Sequence, residues 1–146
     1  MSFTILVLDD EPWQLSWVTD VATARGGKCV FTDTYENAKS AFDKESPEIV
    51  IIDIRIGDVD EPLVGATLTG SAYDPSWIGL RLLRFIRVER NSKATRLLVY
   101  TGLDREGIQR IAEDAFSARF FTKFEPVEFQ QALISEIKRL DKKATT

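Results

Sequence analysis

The sequence predicts an α/β fold: five β-α units wound into three layers, with a parallel sheet between two layers of helices. Three observations carry this. Short apolar runs alternate with segments of helical periodicity five times along 146 residues. The central runs, such as Ile49-Val50-Ile51-Ile52, are apolar at every position rather than every second one, which marks strands covered on both faces. The chain is 44% hydrophobic and 29% charged, enough to build one globular core and too apolar for a disordered segment.

Taken in order, Ile5-Leu6-Val7-Leu8 is the first strand and closes on Asp9-Asp10. Trp13, Trp17, Val18 and Val21 recur at helical spacing behind Pro12, and Gly26-Gly27 stops that helix. Lys28 to Thr32 is a weaker second strand. A helix over 33–44 follows, with Asp33 and Glu36 spaced as a capping box. The third strand, Ile49 to Ile52, ends at Asp53. Asp74-Pro75 reads as an N-cap and first helical residue for a helix through Ile78, Leu82, Leu83 and Ile86. Leu97 to Tyr100 is the fourth strand, ending at Thr101, and Asp104 caps a helix with Ile108, Ile111, Ala112 and Ala115. Arg119 to Thr122 is a short fifth strand ending at Lys123. Pro126 opens the last helix, with Phe129, Leu133, Ile137 and Leu140 inside. Right-handed crossovers leave few topologies for such a chain, and five units of this length fit the flavodoxin-like strand order 2-1-3-4-5. Residues 1–141 form this domain, with an extended loop insertion at 54–75 between strand 3 and helix 3. Residues 142–146 form a C-terminal tail.

Composition excludes several function classes. The net charge is −4, which offers no basic face for direct nucleic-acid binding. No stretch approaches the ~18 apolar residues of a membrane span, and the N-terminus lacks the basic region of a secretory signal. One cysteine, Cys29, permits no internal disulfide, which suits a reducing cytoplasm, and as a strand residue it reads as an inert buried thiol. There are no histidines, so Ser-His-Asp and Cys-His triads, His-ligated zinc and a phosphohistidine on this chain are all ruled out. The turn after the first strand, Asp9-Asp10-Glu11-Pro12, would repel a pyrophosphate, which argues against a dinucleotide fold.

The polar residues fall where a site would be. In open α/β sheets ligands bind outside the carboxyl ends of the strands, at the switch point, here between strands 1 and 3. Asp9, Asp10 and Asp53 should converge there, flanked by Thr101 and Lys123. An Asp after a strand is on its own most often a turn former, but five suitable types at matching strand ends make a pattern. Two carboxylates at ~4 Å repel by roughly 4 kcal/mol at an effective dielectric of ~20. Proton uptake or a divalent cation relieves this, and Mg2+ suits an all-oxygen site that also receives a phosphoryl group. Trp13, Trp17 and Trp77 read as packing residues, and Asp58-Val59-Asp60-Glu61 lacks the spacing of a calcium loop and reads as solvated loop.

These strings resemble the receiver domain of two-component response regulators over nearly the whole chain, from Ile5 to about Leu140: Ile5-Leu6-Val7-Leu8-Asp9-Asp10-Glu11-Pro12, Ile49-Val50-Ile51-Ile52-Asp53, Leu98-Val99-Tyr100-Thr101-Gly102 and Phe120-Phe121-Thr122-Lys123. The resemblance implies that Asp53 is the phosphoacceptor and that Asp10, with Asp9 acting through water, Asp53 and the backbone carbonyl of Arg55 hold Mg2+. It implies that Thr101 and Lys123 each take a phosphoryl oxygen, and that Thr101 and Phe120 form the switch. It further implies a partner histidine kinase or histidine phosphotransfer protein as donor. A downstream protein target, or an output domain elsewhere in a longer protein, would receive the signal, and a homodimer would fit the same switch.

Two departures from the family pattern stand out. The family commonly carries a cis Pro directly after the Lys, whereas this run is Lys123-Phe124-Glu125-Pro126, so a differently shaped loop is expected in preference to a cis non-Pro bond. The 54–75 loop is longer than the family's, and reads either as a tolerated surface insertion or as a flap over Asp53. The alternative function is a degenerate, non-phosphorylated receiver acting as a protein-interaction module. A Mg2+-dependent phosphohydrolase with an aspartyl intermediate is disfavoured, because Arg55 stands where such enzymes place an acid-base Asp, and the chain is therefore read as not an enzyme.

Overall fold

The computed structural model describes residues 2–54, 78–102 and 106–145. Five strands, β1 (Thr4–Leu8), β2 (Lys28–Thr32), β3 (Ile49–Ile52), β4 (Arg96–Thr101) and β5 (Arg119–Thr122), form one parallel sheet in the order β2-β1-β3-β4-β5. This is the flavodoxin-like arrangement expected from the sequence. A 3-10 turn (Pro12–Leu15) leads into α1 (Ser16–Ala24), and α2 (Tyr35–Glu45) joins β2 to β3. Helix α3 (Ile78–Arg84) and helix α4 (Glu106–Arg110) each continue into a π-helical turn, Phe85–Glu89 and Ile111–Ala115 respectively. Helix α5 spans Pro126–Thr145.

The alternation of side chains along each strand divides the core in two. Leu6, Leu8, Val50, Ile52, Leu97 and Val99 face α2, α3 and α4, where they meet Phe42, Leu80, Leu83, Phe85, Ile108 and Phe116. Ile5, Val7, Ile49, Ile51, Leu98 and Tyr100 face α1 and α5, where they meet Leu15, Val18, Ala22, Phe129, Leu133 and Ile137. Both faces of β1 and β3 are therefore dry, which is why their sequences carry no alternation.

Four expectations are corrected. The cap of α2 is Thr34, not Asp33: its hydroxyl accepts the Asn37 backbone N–H at 3.1 Å. Tyr35, Ala38 and Phe42 share the face of α2 that turns toward the sheet. Trp13 does not pack; it is 68% exposed. It lies on the 3-10 turn rather than on α1, so Leu15 takes the buried position and Trp13 points outward. Trp17 does pack, edge-on to Phe129 with ring centroids 5.9 Å apart. The final helix continues to Thr145 through most of the stretch read as a tail, 142–146. Cys29 is only partly buried within β2, not the buried thiol expected; burial still pushes its thiol up to about 12, against a weaker downward pull from the Thr19 hydroxyl. The insertion at 54–75, the Asp74-Pro75 and Asp104 caps, Trp77, the Asp58–Glu61 run and Arg55 lie outside the described residues, Ile54 excepted. Among the described residues no helix is long and apolar enough to cross a membrane.

Candidate phosphoryl-acceptor site

Strand register brings the candidate residues together. Leu8 lies opposite Ile52, so the residues that follow, Asp9 and Asp53, leave neighbouring strands side by side. Backbone bonds extend the ladder past the strand ends: Asp53 N–H to Leu8 O at 2.9 Å, Asp9 N–H to Thr32 O at 3.0 Å and Lys123 N–H to Thr101 O at 2.8 Å. These bonds fix three of the site's side chains on sheet backbone rather than on loops.

Asp53 is 6% exposed, and each of its carboxylate oxygens accepts a hydrogen bond. Thr101, fully buried, donates its hydroxyl to Oδ1 at 2.7 Å, and the Lys123 ammonium donates to Oδ2 at 3.1 Å. Lys123 also donates to Asp9 Oδ2 at 2.9 Å, while Asp9 Oδ1 accepts the Glu11 backbone N–H at 2.8 Å. Asp10 is exposed at the rim, and oxygen atoms of Asp9, Asp10 and Asp53 all lie within 4.8 Å of one another. Phe120 is half-buried against the α2-α3-α4 face of the core, on the strand that carries Lys123.

Burial sets the electrostatics. It raises the Asp53 pKa above the ordinary aspartate value, and the Asp9 charge adds to this; Lys123 and the Thr101 hydroxyl pull in the opposite direction without cancelling it. Burial acts to lower the Lys123 pKa, but the Asp53 and Asp9 carboxylates outweigh it and the ammonium is held above its ordinary value. The site thus keeps its cation and strains its buried anion. One ammonium against two carboxylates leaves these three groups net negative before Asp10 is counted.

The chain was also compared with known proteins. No protein-family model and no curated protein sequence matches it. Solved structures do. The signal receiver domain of a Luxo repressor protein from Vibrio parahaemolyticus superposes with a TM-score of 0.69 at 12% identity, covering 99% of this chain and 97% of that one. A Francisella response regulator receiver domain gives 0.67 at 18% identity, covering 97% and 98%. The chemotaxis response regulator CheY4 of Vibrio cholerae gives 0.65 at 16% identity, covering 93% and 99%. The chain has the receiver-domain fold. At such low identity the likeness is one of fold, and the site must be argued from its own atoms.

Within this receiver fold, Asp9, Asp10, Asp53, Thr101 and Lys123 occupy one cup at the carboxyl end of the sheet. The donor set is all oxygen and anionic, which fits a hard divalent cation such as Mg2+. Asp9, Asp10 and Asp53 are the carboxylates that would hold it. Asp9 and Asp53 each have both oxygens engaged in hydrogen bonds, so these bonds do not by themselves separate an inner from an outer carboxylate. The main-chain bond between Lys123 and Phe124 is trans, and Glu125 N–H closes a turn onto Thr122 O at 2.9 Å, so the loop after the Lys has its own shape, as the missing Pro implied. The sequence reading gave Gly79 no role, since a single glycine within a helical pattern carries no local signal of close backbone approach.

Proposed function

We propose that the chain is a phosphoryl-accepting response regulator receiver. The observation that carries the reading is the buried Asp53 carboxylate held between the Thr101 hydroxyl and the Lys123 ammonium, with Asp9 and Asp10 beside it. An Asp53 oxygen attacks phosphorus of a phosphohistidine on a partner histidine kinase or phosphotransfer protein. The P–O bond to Asp53 forms as the P–N bond breaks, and the histidine nitrogen leaves with the electron pair. The donor histidine is the partner's, since this chain has none. Bound Mg2+ would supply charge neutralisation for the incoming phosphoryl oxygens.

The chain's own residues do the rest. Lys123, kept protonated by its two carboxylates, exchanges a carboxylate oxygen for a phosphoryl oxygen. Thr101 donates to a second one from a hydroxyl that is already turned inward. As Thr101 passes its bond from Asp53 to the phosphoryl group, the half-buried Phe120, three residues before Lys123, moves inward, and the face of α4, β5 and α5 is remodelled for a downstream protein target, or for an output domain in a longer protein, in the cytoplasm. This is a population shift driven by contacts that only the phosphorylated state makes.

Incubation with acetyl phosphate and Mg2+ tests the reading. The expected result is a hydroxylamine-sensitive mass gain of about 80 Da, dependent on Mg2+ and abolished by Asp53→Asn. No adduct on the folded wild-type chain would overturn it in favour of a non-phosphorylated interaction module. An adduct that survives Asp53→Asn would overturn the assignment of the acceptor.

A further inference from the structure

We propose that Gly79 is a positioning residue for the phosphoryl chemistry of Asp53, an inference that rests on the acceptor reading above. Gly79 is the second residue of α3, and it lies against the backbone of Asp53 and Ile54 rather than against side chains. Its N–H donates to the Ile54 carbonyl at 2.9 Å. A Cβ built on it would sit 2.3 Å from the Asp53 carbonyl oxygen, 2.4 Å from Ile54 Cα and 2.9 Å from the Asp53 carbonyl carbon. Every one of these atoms is main chain, so no flexible side-chain end can yield. The glycine is required for the approach and not for its own dihedral angles, since Gly26 is the glycine with positive φ among the described residues.

The consequence concerns the nucleophile. Helix α3 is pinned from behind by Leu80, Leu82, Leu83, Phe85 and Ile86, all at most 1% exposed. On its other side Asp53 is held by its own N–H, in the peptide that joins it to Ile52, which donates to Leu8 O at 2.9 Å. Gly79 closes the seam between them without a gap, so the acceptor's backbone has no slack, and its carboxylate stays on Thr101 and Lys123. Restoring an ordinary contact of 3.4 Å from 2.3 Å means that the two walls part by about 1 Å. Both walls are buried, Ile52 and Ile54 as fully as Leu80 and Leu83, so the displacement is shared between them and part of it reaches the Asp53 carboxylate.

Two other glycines make the test specific. A Cβ on Gly27 would sit 2.5 Å from the Phe3 ring, at the opposite end of the sheet, so Gly27→Ala disturbs packing without touching the site. A Cβ on Gly102 would meet nothing within 4 Å. Phosphorylation by acetyl phosphate is measured as a function of donor and Mg2+ concentration, beside urea unfolding. For Gly79→Ala the saturating rate constant should fall by up to about 10²-fold, the scale of a full 1 Å misplacement, while Gly27→Ala loses stability and keeps the wild-type rate. Gly102→Ala should change neither. A wild-type saturating rate in folded Gly79→Ala would overturn the proposal, as would a rate loss in Gly27→Ala matching that of Gly79→Ala.

If Gly79→Ala does not fold, hydrogen exchange in the wild-type chain decides. The Gly79 amide should be protected to within about 10-fold of the Ile52 amide on β3, as expected for a bond buried in a rigid seam. Exchange at the rate of an open loop would overturn the proposal. A wild-type chain that takes no phosphoryl group at all sinks the acceptor reading and this one together. Wild-type phosphorylation with an unimpaired Gly79→Ala sinks only this one.

Discussion

Lys123→Met removes the cation from between two buried carboxylates while keeping most of the side-chain volume. The ammonium lies 2.9 Å from Asp9 Oδ2 and 3.1 Å from Asp53 Oδ2, and the two acids have side-chain exposures of 1% and 7%. At an effective dielectric of ~20 each contact is worth about 5 kcal/mol in Coulomb terms. Desolvation of the ions offsets much of that, and losing one partner of a buried pair costs about 3–5 kcal/mol net. Proton uptake limits the loss. Protonating an ordinary aspartate at neutral pH costs about 4 kcal/mol, and Asp53 lies above that ordinary pKa already, so it takes up the proton more cheaply. The expected destabilisation is therefore about 3 kcal/mol at neutral pH, at the lower end of the range. The sign of its pH dependence follows. The Lys123 interaction needs charged carboxylates, so the gap between variant and wild type narrows as pH falls through the raised Asp53 pKa and closes in acid. Urea unfolding at a series of pH values measures it, with and without Mg2+. The divalent ion should recover much of the loss in the variant, because it restores positive charge at the same carboxylates. A loss that is equal at neutral and acid pH would refute the electrostatic account and leave only packing. So would a loss that Mg2+ leaves untouched.

Three further predictions concern single groups. Asp53→Asn should be more stable than wild type at neutral pH, since it removes a buried charge while Lys123 keeps Asp9 as its partner: a raised carboxyl pKa means stability is full below the ordinary aspartate pKa and is lost as pH rises through the folded value, so the gain should vanish in acid unfolding curves. Glu136→Gln should cost about 1–3 kcal/mol, since this acid, 2% exposed on α5, faces Arg96 of β4 and Arg119 of β5 together with Arg139, whose guanidiniums are about half exposed and temper the effect; guanidinium unfolding at low and high salt checks it. Cys29, partly buried with its thiol pushed up to about 12, should react with a thiol reagent at neutral pH far more slowly than the same cysteine in the urea-unfolded chain, and an equally fast reaction in native buffer would contradict the raised pKa.

The sequence by itself determined the order of elements, the strand order and which polar side chains gather at the carboxyl end of the sheet. Apolar runs such as Ile49 to Ile52 can only be strands buried on both faces, and a parallel sheet places the residue after each strand at one common edge. Asp9, Asp53, Thr101 and Lys123 were legible for that reason: strand ends are local, and topology carries them to the same place. What only the tertiary structure decided depends on distances between segments far apart in the chain. Thr34, not Asp33, has the extended backbone and the hydroxyl in reach of the Asn37 N–H, and caps α2. Trp13 turns to solvent because Leu15 fills the position it would have taken. The sharing of Lys123 between Asp9 and Asp53, and the backbone seam at Gly79, arise from register and close packing across 114, 70 and some 25 residues of chain, and no local pattern encodes those separations. Local propensity and periodicity act within a turn or a strand; which atoms meet is settled by how both faces of the sheet are filled.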